Sequence, residues 1–106
     1  MVARGEVWWH EAPDERRRPY VVLTRDEVIP FLGQLIAVPI TRTMRGIPTE
    51  VPLDRSDGMA VECVVTVDNL ALVPKANLTS RITTLDPERL RQICAAVAFA
   101  IACNLH

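Results

Sequence analysis

One helix signature, placed at the very end of the chain, constrains this sequence more than any other feature. Asp86-Pro87-Glu88 reads as a helix start. The Asp86 carboxylate can accept from free backbone N–H groups, Pro87 suits the first turn, and Glu88 favours the positive end of the helix dipole. Leu90, Ile93, Cys94, Val97 and Ile101 then follow at helical spacing and define one apolar face. Ala95, Ala96, Ala98 and Ala102 make the other face small enough for close packing on a sheet or on another subunit. Ahead of this helix, turn residues cut the chain into short runs.

Those runs read as strands. Residues 6–10 (Glu-Val-Trp-Trp-His) are β-branched and aromatic, and 11–17 form a charged, Pro-containing loop. Residues 20–24 are apolar on both faces, as in a central strand. Leu35 begins a third strand, which Pro39 predicts to be an edge or bulged there, because proline donates nothing to a ladder. A basic loop, 41–48, leads to a short alternating strand, 49–53, and a turn cluster, 54–58. Val61, Cys63, Val65 and Val67 are expected on one face of the next strand, with Glu62 and Thr66 opposite. Two more extended stretches follow, 70–73 and 78–84. The sum is a mainly β chain: one small, strongly curved barrel with a C-terminal α-helix, a single domain spanning residues 1–106.

Charge narrows the function. Twelve basic residues face thirteen acidic ones, a net charge of −1, which excludes binding nucleic acid by bulk positive charge. Yet all the basic residues except Lys75 are arginines, whose planar forks grip phosphate bidentately. Arg16, Arg17 and Arg18 lie where the first long loop meets the second strand, and Arg42 and Arg45 lie after the third. If the two loops open on one side, a phosphate between them meets a fork of donors. The competing reading is a solvated loop neutralised by Glu11, Asp14 and Glu15. Trp8 and Trp9 point to opposite faces of one strand, so one ring is left for a surface, where it can stack on a base or support an interface.

Other chemistry is thinly represented. No H-x-x-x-H, Cys pair or carboxylate cluster has metal-ligand spacing, and no Gly-rich phosphate loop exists, so no metal or cofactor is expected. His10 is the histidine placed for acid–base work. Cys63 reads as a core residue. Cys94 and Cys103 fall on opposite sides of one helix and cannot pair while it is intact. The opening residues lack an apolar signal core and no run is long enough to span a bilayer, which predicts a cytoplasmic protein.

Three ordered blocks carry a resemblance. Arg4-Gly5-Glu6-Val7-Trp8-Trp9, Arg17-Arg18-Pro19-Tyr20-Val21-Val22-Leu23-Thr24 and Val38-Pro39-Ile40-Thr41 resemble the MazF/PemK family of toxin endoribonucleases from toxin–antitoxin systems. Echoes follow in Glu50-Val51-Pro52-Leu53, in Val64-Val65 ahead of Asp68-Asn69, and in Leu85-Asp86-Pro87. The resemblance implies an SH3-like, CcdB/PemK-type barrel, a homodimer, cleavage of single-stranded RNA, and a cognate antitoxin with an acidic, disordered C-terminal segment. It implies Arg18 and Thr41 as the catalytic pair. RNA binding is then expected at Arg16, Arg17, Arg42, Arg45 and Trp9.

This chain departs from the family pattern at Glu62-Cys63, where an acidic-Ser pair is common, and at Ala71, where an Arg is common. The implied chemistry is metal-free attack by the 2′-OH, giving a 2′,3′-cyclic phosphate and a 5′-OH, with water, Glu15 and His10 open as the base. Two alternatives keep the barrel: a CcdB-like gyrase inhibitor and a non-catalytic SH3-like binding module. Neither needs an Arg-Pro strand start with a Thr closing the third strand.

Overall fold

A computed structural model describes residues 1–102. Cys103 and His106 lie outside the described residues. Seven strands and one helix run in the order β1 (Glu6–His10), β2 (Arg18–Val22), β3 (Gln34–Thr41), β4 (Glu50–Leu53), β5 (Cys63–Thr66), β6 (Ala71–Pro74), β7 (Leu78–Thr84) and α1 (Pro87–Ala100). All strand pairs are antiparallel, in the order β4-β5-β3-β2-β1-β7, with β6 also paired to β3.

The sheet curls around one core. Val51 and Leu53 of β4 at one end share a cluster with Val7, Val21 and Val38 of the central strands, and Ile82 of β7 at the other end packs against it. No ladder joins β4 to β7 among the described residues. The closure is made by side chains instead. After β4, Asp54 caps a 3₁₀ turn reciprocally with Asp57. The Thr83 hydroxyl of β7 donates to the Asp57 carbonyl at 2.9 Å. Gly58 has φ +95°, and a Cβ there would overlap the Thr83 side chain, so only glycine fits this approach. The Arg89 guanidinium of α1 donates to Asp57 at 3.0 Å. A second cluster, with Val22, Leu35, Ala37 and Val73, fills the opposite face of the sheet.

Pro39 lies at a local edge of a strand that is otherwise central, as a residue that donates nothing to a ladder requires. The ladder of β3 to β6 ends at Ala37 and its ladder to β5 begins at Ile40, so Pro39 falls in the handover, where that flank has no partner. The fifth strand is shorter than expected and buried on both faces. Thr66 is as buried as Val65, and Val61 lies outside the strand, exposed. His10 ends β1 and is buried, its ring 5.1 Å from Tyr20.

The helix begins as its sequence predicts, with Asp86 accepting from the Arg89 N–H at 2.9 Å and Pro87 in the first turn. Its inward face is rotated. Ile93 and Ala96 are buried and Val97 and Ala100 pack on the core, while Leu90 and Cys94 are half-buried and Ile101 is 65% exposed. The small Ala96 side chain lets the helix settle close to the sheet. No helix of the described residues is long and apolar enough to cross a membrane.

Candidate active site

Register builds the site. Val22, Val21 and Tyr20 of β2 face Ala37, Val38 and Pro39 of β3. Both strands run on past the last paired residues, and the Arg18 that opens β2 lines the same two clefts as the Thr41 that ends β3. On its other side Arg18 faces His10. Side chains opposite one another in an antiparallel pair share a face and lie close together. Residues 23 positions apart in the chain are thereby brought to the same clefts at the end of the barrel. The strand of the Arg-Pro motif begins at Arg18, two residues earlier than its apolar run suggested, and this places the guanidinium on the sheet rather than in the loop.

Two clefts meet on this pair. The first, about 560 Å³, falls in the size range of small-ligand sites. Trp9, Arg16, Arg17 and Arg42 line it, and Met59 and Val61 give it an apolar side. The second, about 250 Å³, is lined by Arg45, Glu50, Thr66 and Asn69. Arg18, Ile40, Thr41 and Thr43 line both, so they form the ridge between them. Every arginine singled out in the sequence therefore reaches one cleft or the other, and so does Trp9. Trp8 turns the other way, donating to Glu6 and packing on the second cluster. Glu15 and His10 line neither cleft.

The charge of the site is largely free. Among the described residues, Arg16, Arg18, Arg42 and Arg45 pair with no carboxylate. Arg17 comes within 4.0 Å of Glu11, and its guanidinium lies 3.9 Å above the Trp9 ring, a cation–π contact. The local neutralisation by Asp14 and Glu15 that a solvated loop would show is missing. The Thr41 Oγ1 accepts from the Thr43 N–H at 3.2 Å, which fixes the oxygen and leaves its O–H free to donate outward. Cys63 borders the first cleft, yet burial, with Asp57 and Asp54 nearby, pushes its thiol up and keeps it protonated. It is no nucleophile.

Sequence reading missed the second cleft's polar lining. Glu50 opens β4 and faces Thr66 of β5 in register. Its Oε1 accepts from the backbone N–H groups of Arg45 and Gly46, both at 2.9 Å, and this folds the basic loop back over the cleft. Asn69 follows in the 3₁₀ turn after β5, which the Thr49 hydroxyl fastens by donating to Asp68. Nothing in a lone Thr at a strand end announces a site.

Comparison with known proteins points the same way. Residues 3–101 match the family model described as PemK-like, MazF-like toxin of type II toxin–antitoxin system. The chain is 42% identical over 105 residues to the probable endoribonuclease MazF5 of Mycobacterium tuberculosis, covering 98% of this chain and 96% of that relative. The solved structure of the Mycobacterium tuberculosis toxin MazF-mt6 superposes with a TM-score of 0.86 at 30% identity, covering 94% of this chain and 99% of that one. A mycobacterial endoribonuclease solved in complex with its cognate antitoxin shares the fold, with a TM-score of 0.87 at 24% identity over the whole of both chains.

Proposed function

The chain belongs to the PemK/MazF family of toxins from type II toxin–antitoxin systems and is an endoribonuclease of that family, and we propose that it cuts single-stranded RNA by attack of the substrate's own 2′-OH. The observation that carries this reading is that the unpaired Arg18 and Thr41 share the ridge between two clefts. A phosphodiester laid on that ridge has one flanking nucleotide on each side.

RNA brings its nucleophile with it, so the protein has three tasks: let the 2′-OH proton leave, stabilise the phosphorane, and protonate the departing 5′-oxygen. Neither His10 nor Glu15 lines a cleft, and water takes the proton. The 2′-oxygen then bonds to phosphorus as the P–O5′ bond breaks, leaving a 2′,3′-cyclic phosphate. Arg18 keeps its charge at any working pH and holds the nonbridging oxygens through paired donors. The Thr41 O–H adds a bond that strengthens as negative charge develops. The leaving alkoxide, a stronger base than guanidine, takes its proton from Arg18, which regains one from solvent. The 5′-OH product carries that proton.

Trp9 offers a stacking face within the first cleft, and Arg16, Arg17, Arg42 and Arg45 hold flanking phosphates. The same unpaired arginines suit an acidic, disordered antitoxin segment that folds on binding and covers the clefts. Ile36 and Leu72, cross-strand neighbours of β3 and β6, are 40% and 62% exposed, which supports a homodimer that covers them. The protein acts in the cytoplasm, where cutting messenger or other cellular RNA stops translation and growth until the antitoxin returns.

The test is a matched pair of RNA oligonucleotides differing by one 2′-deoxy sugar at the scissile nucleotide. The all-ribose RNA is expected to give cyclic-phosphate and 5′-OH ends with chelator present, and the 2′-deoxy RNA is expected to stay whole. Equal cutting of both overturns the mechanism.

A further inference from the structure

The middle of the basic loop between β3 and β4 is tied down by one residue. Residues 42–48 are all exposed. Every hydrogen bond that residues 44–47 make with the described residues goes to Glu50. Its Oε1 accepts from the Arg45 and Gly46 N–H groups, both at 2.9 Å, and its Oε2 accepts from the Arg45 N–H at 3.2 Å. Its own N–H donates to the Ile47 carbonyl at 3.1 Å. Two successive N–H groups that converge on one oxygen make a small anion-binding concavity. Gly46 permits it with φ +70°, and a Cβ there would meet nothing within 4 Å, so the demand for glycine is conformational. On its other side Glu50 is firmly seated. It opens β4, pairs with Thr66 of β5, and follows the buried Thr49, whose hydroxyl donates to Asp68.

The Arg45 guanidinium is left out of this arrangement. It belongs to the residue whose backbone Glu50 holds, and both residues line the second cleft. Yet it pairs neither with Glu50 nor with any other carboxylate among the described residues. An arginine beside a carboxylate ordinarily forks onto it. Here the acceptor oxygens are spent on the main chain, so the glutamate fixes the loop and the arginine keeps its charge available. We propose that Glu50 is a positioning residue for RNA: it latches the loop by its backbone, so that the Arg45 guanidinium is presented without a counter-charge to a phosphate of the bound strand in the second cleft. This rests on the ribonuclease reading above and gives the nucleotide beyond the Arg18–Thr41 ridge its anchor. A carboxylate in a cleft that takes a polyanion also repels it, so charge alone predicts tighter binding once Glu50 is removed. The latch predicts the reverse, because a loop without its tie must be ordered at each binding event.

The experiment uses a mixed-sequence pool of single-stranded RNA 12-mers, in all-ribose form for cutting and with 2′-fluoro sugars, which cannot be cut, for binding. Arg45→Ala is expected to weaken binding about tenfold, the scale of one charged hydrogen bond. It is also expected to lower the slope of log affinity against log salt by about 0.7, the value for one phosphate contact on a single strand. Glu50→Ala is expected to do both to a similar extent, although it removes a negative charge. Glu50→Gln keeps an acceptor oxygen and is expected to bind within about threefold of wild type, the difference between a charged and a neutral acceptor. The double variant carrying Arg45→Ala and Glu50→Ala is expected to be no weaker than either single, since both remove the same contact. In cutting, the loss falls on KM more than on kcat, because Glu50 acts through a phosphate-binding arginine and not at the reacting atoms.

Amide hydrogen exchange separates this from damage to the fold. Glu50→Ala is expected to lose protection at Arg45 and Gly46 and to keep it at Val21, Val38 and Val65 of the core. Gly46→Ala reaches the same latch from the exposed loop, away from the core, and is expected to weaken binding and lower the salt slope as Glu50→Ala does. If Glu50→Ala binds the 2′-fluoro pool as tightly as wild type or more tightly, the latch is overturned. Losses that multiply in the double variant overturn it too, because Glu50 then acts apart from Arg45. Should Glu50→Ala not fold, wild-type binding by Gly46→Ala overturns it as well. If wild type binds the 2′-fluoro pool and cuts no RNA, the ribonuclease reading falls alone, provided the two losses still do not multiply.

Discussion

The closure of the barrel and its cleft end use the same side chain in opposite ways. At the closure, Arg89 is held by Asp57, whose side chain is 6% exposed, and on β7 Arg81 is held by Glu6, whose side chain is 7% exposed, each pair at 3.0 Å. The hydrogen bond that Arg89 donates to Asp57 raises the affinity of the guanidinium for its proton. At the cleft end Arg16, Arg18, Arg42 and Arg45 have no acidic partner among the described residues. Like charges gathered without partners repel one another and add nothing to the fold. Their grouping makes sense where an anion arrives from outside. The contrast predicts that substitutions at one end change stability and substitutions at the other change chemistry.

The largest effect belongs to Arg18. Arg18→Ala removes a preorganised charge from the developing phosphorane, and cleavage is expected to fall about a hundred- to a thousandfold, the scale of losing one such donor. Because the side chain is exposed and pairs with no carboxylate, Tm is expected to stay within a degree or two. Rate and thermal unfolding measured on the same preparation check both halves. A variant cutting within threefold of wild type breaks the assignment, and a large fall in Tm breaks the contrast.

Arg89→Ala tests the closure. It strands the Asp57 carboxylate in a nearly closed site, and a loss of about 2 kcal/mol is expected, the scale of a charged hydrogen bond. For a domain of this length that is roughly a 10 °C fall in Tm. Turnover measured where the variant is fully folded is expected to stay within threefold of wild type. Denaturant unfolding reads the first quantity and initial rates read the second.

The difference between the two ends also explains what could be read from the letters. Local signals carried the strands and the helix start, because period-2 alternation and the Asp86-Pro87 cap depend on neighbours in sequence. The arginine loops were visible for the same reason. What stayed hidden depends on register. That Arg18 and Thr41 line the same clefts, that Pro39 sits harmlessly between two ladders, and that Glu50 faces Thr66 all follow from how distant strands slide into place. A one-residue slip would turn each of these side chains to the other face. The helix packs on the core with parts of both of its faces, Ile93 and Val97 from the apolar stripe and Ala96 from the small-residue face, and only the docked structure shows where the two meet. The backbone hold of Glu50 on the basic loop leaves no trace in composition or spacing. Nor does the pairing state of an arginine, which separates Arg89 from Arg18 only once partners are known.

The smallest effect sharpens that last distinction. Burial pushes the Glu6 carboxyl up, but hydrogen bonds from Trp8, from the Ala3 N–H and from Arg81, together with the Arg81 charge, outweigh it, so the group titrates below its ordinary range. A carboxyl whose folded value lies below its unfolded value, about 4.3, stabilises the fold fully above that pH. The contribution drains away as pH falls from there through the folded value, because the unfolded chain takes up the proton first. Glu6→Gln keeps an acceptor and removes the charge. The stability gap between wild type and Glu6→Gln, read by urea unfolding, is therefore expected to be wide at pH 6 and narrow at pH 3. Arg18 has no carboxylate partner to titrate, so the gap between wild type and Arg18→Ala should stay nearly constant over the same range. A Glu6 gap that does not narrow would mean that Arg81 contributes nothing through its charge. The paired and the unpaired arginines would then differ in geometry alone, and unpaired arginines would lose their electrostatic footing as markers of the site.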